Sequence, residues 1–376
     1  MSEIRLAGLR DHSAISSFID KYWKKDHAYT KSKELFDWTF KTNPNWPEPG
    51  YSISVAIEDN SIQGMLGTIP FDLNIYGKSF KACWLVNWLL IPEARKGRLG
   101  INLLKIFSND YGYDTISFGI NDTIARLYSA LKWQEMPIVP RMVWINPNNT
   151  LNAKSLLMEA NPNENVLEIM QYINTHAIHL GETAPSLLNP REIITTDSWN
   201  INGWEKWKFK TVGCSRDSKY LLWRYFENPI YKYQSRMIAD GKNIGLIIWR
   251  VENTQRLNSN GQIEDFFPIA RIVEFLPASQ ANAVDLLSEF SKYSNEVGVN
   301  AADFYCYNEE ICEILVKIGL VVLRNHTGVN LPNHTQPIAS GGAIRSAIKI
   351  ADDHRVNASA RHWYWTKSDS DQDRPN

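Results

Sequence analysis

The sequence predicts an α/β protein (an α+β mixed sheet) that is built from two similar halves. Two observations lead to this prediction. First, predicted strands and amphipathic helices share the first part of the chain, and an apolar strand ending at Pro92 leads through a basic, glycine-containing turn into a helix. Second, short segments of this first part recur in the same order further along the chain.

Composition limits the class of protein. The chain has 376 residues, of which 44% are hydrophobic and 22% charged, so it can bury a core in two or three domains. The net charge of −1 argues against a nucleic-acid partner. The four cysteines form no CxxC pair and no zinc-like spacing with histidine, so we expect reduced thiols and no metal site. The absence of a signal peptide and of a long apolar run predicts a cytoplasmic protein without a membrane span.

The first part of the chain predicts a strand, two helices, three antiparallel strands, a helix, a strand, a helix and a last strand. Asp59-Asn60 and Tyr76-Gly77-Lys78 are typical hairpin turns, and the polar residues at 10–13 and 121–122 can cap helices. The predicted strands cover 3–9, 52–57, 62–73, 81–91, 115–119 and 142–145. The predicted helices begin near residues 13, 32, 99 and 121.

The turn after Pro92 has the features of an anion-binding site. Its basic residues supply positive charge, and its glycines let the backbone come close to a ligand. The helix that begins at Leu99 adds its N-terminal N–H groups and its dipole. The basic and glycine residues are Arg95, Lys96, Arg98, Gly97 and Gly100. The alternative interpretation is an ordinary connection between a strand and a helix, with a solvated basic turn.

This stretch resembles the coenzyme A pyrophosphate loop of the GNAT acyltransferase superfamily, whose pattern is Gln or Arg, two residues, Gly, one residue, then Gly or Ala. Arg95 and Gly100 match the first and last positions, and Arg98 stands where the family prefers glycine. The order of elements is similar to that of the GNAT fold. The helix after Asn121, which carries Tyr128, resembles the family's later helix, with Lys132 in place of a glycine near its end.

Segments of the first part recur after an offset of 186 residues at Ser218, which matches Ser32, and of 185 residues at Trp223, which matches Trp38. These offsets predict that one residue is missing between these two positions in the second copy. Further matches pair Asn43-Pro44 with Asn228-Pro229, Pro92 with Pro277, and Asn121 with Asn308. We therefore predict two tandem GNAT-like domains. The predicted divisions are a catalytic N-terminal domain (1–148), a partly helical connection (149–202), a C-terminal GNAT-like domain (203–335) and a docked tail (336–376).

The second half lacks the residues that the resemblance requires. After Pro277 the turn contains neither glycine nor a basic residue, and Leu315 occupies the position that matches Tyr128. We therefore predict that the second half is a non-catalytic copy that shapes the acceptor pocket of the first half. In GNAT enzymes two strands splay apart around acyl-CoA, and the resemblance implies that the splayed strand here is 87–91. Glu274, on the matching strand of the second half, is interpreted as structural.

The tail carries two unusual patterns. We expect a turn and a helix within 337–350, and we expect Trp363-Tyr364-Trp365 to dock on the body because exposed aromatic clusters are unfavourable. The alternating carboxylates Asp369, Asp371 and Asp373 are suited to pairing with arginines, to binding a cation or to contacting sugar hydroxyls.

The resemblance implies transfer of an acyl group from acetyl-CoA, or another acyl-CoA, to an amine. Tyr128 is the candidate general acid for the leaving thiolate, with a buried core tyrosine as the alternative interpretation. His27 is the candidate base, since the splayed strand carries Asn87 and no acid. The candidate cofactor-binding residues are Leu90, Ile91, Arg95, Lys96, Gly97, Arg98, Leu99, Gly100 and Asn121.

The predicted acceptor is a small-molecule amine. The 14 tryptophans and the acidic tail suit a carbohydrate ring, so we expect an amino sugar, including its nucleotide-linked form, in surface polysaccharide synthesis. Two alternatives stay open. One is a FemAB-like transferase that takes an aminoacyl group from tRNA, and the other is a non-enzymatic GNAT-like binding protein.

Overall fold

The computed structural model describes residues 2–149, 185–323, 344–351 and 359–373, the pairs 332–333 and 339–340, and six single positions between 154 and 171. In this part of the chain the first sheet has eight strands in the order β1-β2-β3-β4-β5-β17-β6, with β9 paired to β3. These strands are β1 (Glu3–Leu6), β2 (Ile53–Glu58), β3 (Ser61–Ile75), β4 (Lys78–Leu90), β5 (Asp114–Phe118), β6 (Gln134–Met136), β9 (Val212–Cys214) and β17 (Ser346–Lys349).

The second sheet has seven described strands in the order β14-β7-β13-β12-β11-β10-β8. They are β7 (Arg141–Ile145), β8 (Leu187–Leu188), β10 (Gln234–Asp240), β11 (Asn243–Leu257), β12 (Ile263–Leu276), β13 (Ala301–Tyr305) and β14 (Val321–Leu323). A separate small hairpin joins β15 (Pro332–Asn333) to β16 (Ala339–Ser340).

Helices cover the sheets. They are α1 (His12–Tyr22), α2 (Ala28–Lys31), α3 (Lys33–Phe40), α4 (Leu99–Lys105), α5 (Asp122–Ala130), α6 (Pro190–Thr195), α7 (Glu205–Lys208), α8 (Ser218–Leu221), α9 (Gln280–Glu296) and α10 (Glu309–Lys317). Helix α4 continues as a π-helical turn over Ile106–Asp110, and α8 does the same over Leu222–Phe226. Within the described residues, no helix combines the length and apolar character that a membrane crossing requires.

Most predicted elements of the first half are present. The two hairpin turns are confirmed: Asp59 and Asn60 both have positive φ, as do Tyr76 and Gly77, which matches two-residue turns between antiparallel strands. The four cysteines are free thiols, as expected. The predicted helix within the connection, near 166–173, lies almost entirely outside the described residues.

Two details of the sequence interpretation were wrong. Asp217, not Ser218, caps the helix that matches α3, because its side chain accepts the N–H of Tyr220 as Ser32 accepts the N–H of Leu35. The offset is therefore 185 at the cap as well, and no residue is missing between cap and tryptophan. Residues 346–349 form strand β17 rather than a helix, because β5 and β6 hydrogen-bond to it from both sides.

Each half contributes its last strand to the sheet of the other half. Strand β7, predicted as the last strand of the first domain, pairs antiparallel with β13 and β14 in the second sheet. Strand β17 takes the equivalent place in the first sheet, between β5 and β6. The two sheets are therefore interlocked, and neither is complete without the other half of the chain. The domain boundaries remain predictions.

The predicted repeat is visible as a reciprocal tryptophan pair between the halves. The indoles of Trp38 and Trp223 stack with centroids 4.8 Å apart. Each Nε1–H donates to the backbone carbonyl of the other residue, at 3.1 and 3.2 Å. Both side chains are buried. This exchange of identical contacts is what a local twofold relation between two copies of one motif produces.

The C-terminal tail is buried between the halves. Trp363, Tyr364 and Trp365 are each at most 2% exposed. The N–H of Tyr364 donates to the carbonyl of Val212. The ring of Trp365 contacts Trp84 of the first half, at 5.2 Å. Three large aromatic side chains, two of them tryptophans, thus fill the space between the two sheets.

Two of the three tail carboxylates pair with buried arginines, the first of the options that the sequence left open. Asp369 lies 2.7 Å from Arg216, which also contacts Glu274 at 2.6 Å. Asp373 lies 2.8 Å from Arg250. Burial raises the pKa of Asp373, but Arg250 and Arg271 outweigh this effect and lower the pKa to about 2. These ion pairs fix the tail in place.

Replacing Trp38 or Trp223 with alanine should lower the free energy of unfolding by about 3–5 kcal/mol, because each removes a buried indole. The double variant should lose less than the sum of the two, because the side chains contact each other. Urea unfolding measures both effects. Phe266→Ala, at a half-exposed site, serves as the control and should cost less than about 1 kcal/mol. Strictly additive losses would contradict the reciprocal pairing.

Candidate active site

The first sheet opens between β4 and β5. The two strands pair in parallel only over Ala82–Leu85 and Asp114–Ser117. Beyond this point β4 continues to Leu90 with no register partner in β5. The backbone groups on this edge of β4 are therefore available to a ligand, and the opening is a cleft between two strands. The opening lies at 87–91, where the splayed strand was predicted.

A β-bulge lies in β4 at the start of the cleft. Gly67 pairs with Val86 and Met65 with Leu89, so Asn87 and Trp88 together face one residue of β3. Asn87 has a φ of 53°, a left-handed conformation that asparagine tolerates better than most residues. As a result, Val86 and Leu89 face the core near α1–α3, whereas Leu85 and Trp88 face the side of α4 and α5.

Two neighbouring side chains of this bulge bury polar atoms that have no partner among the described residues. Asn87 is 9% exposed, and both its Oδ1 and its Nδ2 lack a hydrogen bond. The Nε1 of Trp88 is also buried without a partner. Unsatisfied buried polar groups are rare because each costs about 1–3 kcal/mol. Because they lie at a strand opening, these atoms can form hydrogen bonds with a ligand.

The basic turn follows directly. Pro92–Lys96 form a short 3₁₀ turn, and α4 begins at Leu99 with no side chain that caps its N–H groups. The predicted basic side chains of this turn, Arg95, Lys96 and Arg98, are exposed. The helical stretch is twelve residues long when the π turn up to Asp110 is included. The turn therefore presents positive charge and free backbone donors on one side of the cleft.

Gly100 is required for packing as well as for ligand access. A Cβ at this position would lie 3.1 Å from Nε1 of Trp88 and 3.3 Å from Leu90. Gly100 therefore brings the start of α4 against the bulge. It links the basic turn to the unpartnered atoms of Trp88 in a single site.

The second half has the same opening, but the protein itself fills it. Strands β12 and β13 pair only up to Arg271 and Asp303, and β12 continues to Leu276. The hydroxyl of Tyr364, from the tail, accepts the N–H of Phe275 and donates to Glu274. Ser279 caps α9 by accepting the N–H of Asn282. In the second opening, Tyr364 therefore occupies the edge of β12 at Phe275, and Ser279 caps the start of α9. The corresponding edge of β4 and the start of α4 have no such side chain in the first opening.

Tyr128 lies next to the first opening. Its ring stacks on Trp133 at 4.2 Å and on Trp88 at 6.2 Å. Its hydroxyl interacts with Ser117, the last residue of β5 that pairs with β4. Burial raises the pKa of Tyr128, against the smaller opposite effect of Ser117. The phenol is therefore protonated at neutral pH, as a proton donor must be.

His27 lies elsewhere, in the layer of helices. It is 2% exposed, and its Nδ1 accepts the N–H of Tyr29 at the start of α2. Its ring stacks on Trp23 at 4.3 Å. These contacts give His27 a capping role. They do not bring it to the residues of the bulge, and its role as a base remains a prediction.

The other predicted site residues divide into two groups. Leu90 and Ile91 lie on the cleft: the carbonyl of Leu90 accepts Nε of Arg95, and the N–H of Ile91 donates to Gln63. Leu99 is half-buried at the start of α4. Asn121 caps α5 through Ile124, as predicted, and is exposed. Their binding roles remain predictions, because no ligand contact tests them.

The sequence did not identify the amide of Asn87 as a binding group. The residue was noted only because it is not an acid. Its significance depends on the bulge, the positive φ and the unpartnered atoms, none of which the sequence displays. An asparagine at the end of a long apolar strand was the one available signal.

No protein-family model and no curated protein matches this sequence. Solved structures match over most of the chain. N-myristoyltransferase from Saccharomyces cerevisiae, with bound myristoyl-CoA and inhibitors, has a TM-score of 0.55 at 10% identity over 92% of this chain and 79% of its own. A GCN5-related N-acetyltransferase from Kribbella flavida has a TM-score of 0.54 at 12% identity, over 94% and 72% of the two chains.

A conserved protein of unknown function from Enterococcus faecalis, described as a probable N-acyltransferase, has a TM-score of 0.54 at 10% identity over 92% and 72% of the two chains. At such low identity these matches concern the fold alone. They agree with the element order and with the two similar halves. The chain therefore has the fold of GNAT acyltransferases in a tandem arrangement, as its sequence predicts.

Proposed function

We propose that this protein is an N-acyltransferase that takes an acyl group from acyl-CoA in the cleft of its first half. The observation that carries the proposal is the contrast between the two openings. Unpartnered polar atoms, an uncapped helix start and three basic side chains meet at the first opening. At the second, Tyr364 and Ser279 occupy the equivalent places.

The basic turn suits the pyrophosphate of coenzyme A. Arg95, Lys96 and Arg98 provide charge, and the N–H groups at the start of α4 provide donors. The edge of β4 beyond Leu85, where its pairing with β5 ends, suits the amides of pantetheine, which pair with a backbone as a further strand does. Structural neighbours solved with myristoyl-CoA support a ligand of this class.

The chemistry requires few protein groups. The neutral amine of the acceptor attacks the thioester carbonyl carbon, so that a C–N bond forms and the C–S bond breaks. The Nδ2 of Asn87 is positioned to donate to an oxygen of the bound thioester. Tyr128 gives its proton to the leaving thiolate, and the proton of the attacking amine passes to water. This scheme assigns no step to His27, whose Nδ1 accepts the N–H of Tyr29.

The proposed acceptor is a small-molecule amine, with an amino sugar in surface polysaccharide synthesis as the preferred class. Support comes from the many tryptophans and from Asp371, a tail carboxylate that lines a small cavity. No observation favours the tRNA-dependent alternative or a non-enzymatic role.

Arg95→Gln/Arg98→Gln should weaken acetyl-CoA binding about tenfold or more, because two charge-assisted contacts to the pyrophosphate are lost. In the unaltered protein, acetyl-CoA at 100 times its Kd should stabilise the fold by about 2.7 kcal/mol and raise the unfolding midpoint. Lys78→Gln/Lys81→Gln removes the same charge at the far end of β4 and should leave the midpoint shift unchanged. Equal midpoint shifts in the two double variants would exclude the proposed pyrophosphate site.

Asn87→Gly should leave the free energy of unfolding within about 1 kcal/mol of the native value, because glycine accepts the positive φ and removes two unpaired polar atoms. The Kd for acetyl-CoA should nevertheless rise about tenfold, because a buried hydrogen-bonding group is lost. Calorimetric titration measures the Kd. Asn60→Gly is the matched control, since Asn60 also has positive φ but lies in an exposed hairpin turn. Unchanged affinity in Asn87→Gly would show that this amide does not bind the cofactor.

Tyr128→Phe should lower turnover about 100-fold while acetyl-CoA binding is retained, because the proton donor for the thiolate is lost. The loss should be uniform between pH 6 and 9, because the raised pKa keeps the phenol protonated across this range. Steady-state rates across pH provide the measurement. Tyr113→Phe, a buried tyrosine of the same core cluster, is the control. A fully active Tyr128→Phe enzyme would exclude the general-acid role.

A further inference from the structure

The C-terminal tail also reaches the first opening, on the side of β5. The Nε2 of Gln372 donates to the backbone carbonyl of Phe118 at 3.1 Å. Phe118 directly follows Ser117, the last residue of β5 that pairs with β4. The tail therefore contacts the first opening at the point where its two strands separate, and it does so from the strand opposite Asn87.

The carbonyl of Phe118 points into this opening. The next residue, Gly119, donates its N–H to the carbonyl of Arg345, on the side of β17. Because the backbone groups of successive strand residues point to opposite edges, those of Phe118 point toward β4. Strand β4 has no register partner in β5 beyond Leu85. The side chain of Gln372 thus binds a carbonyl to which a continuing sheet would have supplied a strand.

Gly119 lets the amide of Gln372 lie against the end of β5. A Cβ at position 119 would lie 2.5 Å from Nε2 and 2.7 Å from Oε1 of Gln372. A side chain at this position would therefore displace the amide. Gly119 also has a φ of 81°, which glycine adopts without strain. The close approach of the tail to the opening thus depends on a glycine between β5 and the helix that carries Tyr128.

The two contacts of Nε2 fix the orientation of the Gln372 amide. Besides the carbonyl of Phe118, Nε2 donates to Oδ1 of Asp371 at 3.3 Å. Both partners are acceptors, so the reversed amide would set Oε1 against two oxygens. Oε1 has no hydrogen-bond donor among the described residues, and unlike the amide atoms of Asn87 it is accessible to solvent. This oxygen is available to a ligand in the opening.

Ion pairs hold the segment that carries Gln372. The next residue, Asp373, lies 2.8 Å from Arg250. Asp369, three residues before Gln372, lies 2.7 Å from Arg216. All four of these charged side chains are buried. A group that is fixed in this way can orient a ligand without the cost of ordering its own segment.

Gln372 and the proposed cofactor approach the opening from different sides. The tail packs against Trp84 and Phe118 through Trp365, on the face that α1–α3 cover. The basic turn leads to α4, and Tyr128 lies in α5, both on the other face. An acyl-CoA along β4 would thus have the amide of Gln372 on the far side of its thioester. An acceptor must occupy that side, because it attacks the carbon that the cofactor presents.

The chemistry of an amide oxygen suits an attacking amine. A neutral primary amine has two N–H donors and one lone pair, so an N–H can donate to Oε1 while the lone pair points to the thioester carbon. A carboxylate at this position would favour the protonated ammonium, which cannot attack. The uncharged amide of Gln372 orients the amine without this effect.

We propose that Gln372 binds the acceptor, with Oε1 accepting an N–H of the attacking amine, so that the tail forms the acceptor side of the first cleft. This inference rests on the proposed acyl transfer. In the step itself the C–N bond forms and the C–S bond breaks, Tyr128 protonates the leaving thiolate, and the proton of the amine passes to water. Gln372 is chemically unchanged.

The test places a nucleophile where the acceptor is proposed to bind. The thiol of Gln372→Cys should react with bromoacetyl-CoA in the full chain: a C–S bond forms, bromide leaves, and the thiol proton passes to water. Peptide mass spectrometry should locate the adduct at residue 372, formed about tenfold or more faster than in Asn60→Cys, at an exposed turn. The unaltered chain gives the background of the four native thiols.

An excess of coenzyme A should slow the labelling of Gln372→Cys and leave that of Asn60→Cys unchanged, because only the first thiol lies in the cofactor cleft. Equal labelling rates in the two variants would overturn the inference. Labelling of Gln372→Cys that coenzyme A does not slow would overturn it as well.

Turnover gives a second readout. Hydroxylamine is a small primary amine, and the formation of acetohydroxamate from acetyl-CoA measures its acylation. Gln372→Leu should lower the protein-catalysed rate about tenfold, because a hydrogen bond to the nucleophile is lost, while the Kd for acetyl-CoA is unchanged. Gln262→Leu, at an exposed turn, is the control and should keep the native rate. Equal rates in the two variants would contradict the proposed role.

The midpoint shift caused by acetyl-CoA separates this inference from the proposed function. The shift should be the same in the unaltered protein and in both Gln372 variants, which also shows that the variants fold. A normal shift without fast labelling at residue 372 would overturn the inference and leave the proposed cofactor site intact. The absence of a shift in the unaltered protein would overturn the proposed function, and the inference with it.

Discussion

The exchange of one strand between the halves is the constraint on which the rest of the structure depends. Strand β7 completes the second sheet and β17 completes the first, so each sheet needs residues from both ends of the chain. The exchange brings the segment after β17 back between the halves, where the aromatic tail and its carboxylates are buried. Ion pairs of Asp369 and Asp373 with arginines of the second half then hold the tail against that half.

The same tail makes the two halves functionally different. It occupies the opening of the second sheet through Tyr364, and it leaves the opening between β4 and β5 available at Asn87. The cleft of the second half is thus occupied by the protein's own tail. The other keeps unsatisfied polar groups, which cost stability unless a ligand satisfies them.

Much of the fold is predictable from the sequence because its signals are local. Turn residues such as Asp59-Asn60, the caps Ser32 and Asn121, and the repeated tryptophan all act over a few residues. The exchanged strands are different. A short apolar strand such as β7 carries no local information on which sheet it joins, since both sheets offer the same vacant position. Four residues of β17 are likewise too few for a period to distinguish strand from helix.

The candidate site, like the fold, is predictable from the sequence only in part. The basic turn was evident, because charge and glycine are read directly from the sequence. The importance of Asn87 was not, because it arises from burial without a partner among the described residues, and partners come from distant parts of the chain. For His27, a histidine in a polar segment, the structure adds a local hydrogen bond to Tyr29, and the role of a base stays a prediction.

The central claim is that one half of a duplicated fold binds acyl-CoA and the other does not. The most direct test is the stoichiometry of acetyl-CoA binding, measured by isothermal titration calorimetry on the full chain. The account predicts one site per chain. Two equivalent sites would contradict the asymmetry between the openings, and the absence of binding at millimolar acetyl-CoA would contradict the assignment of the first opening as a cofactor site.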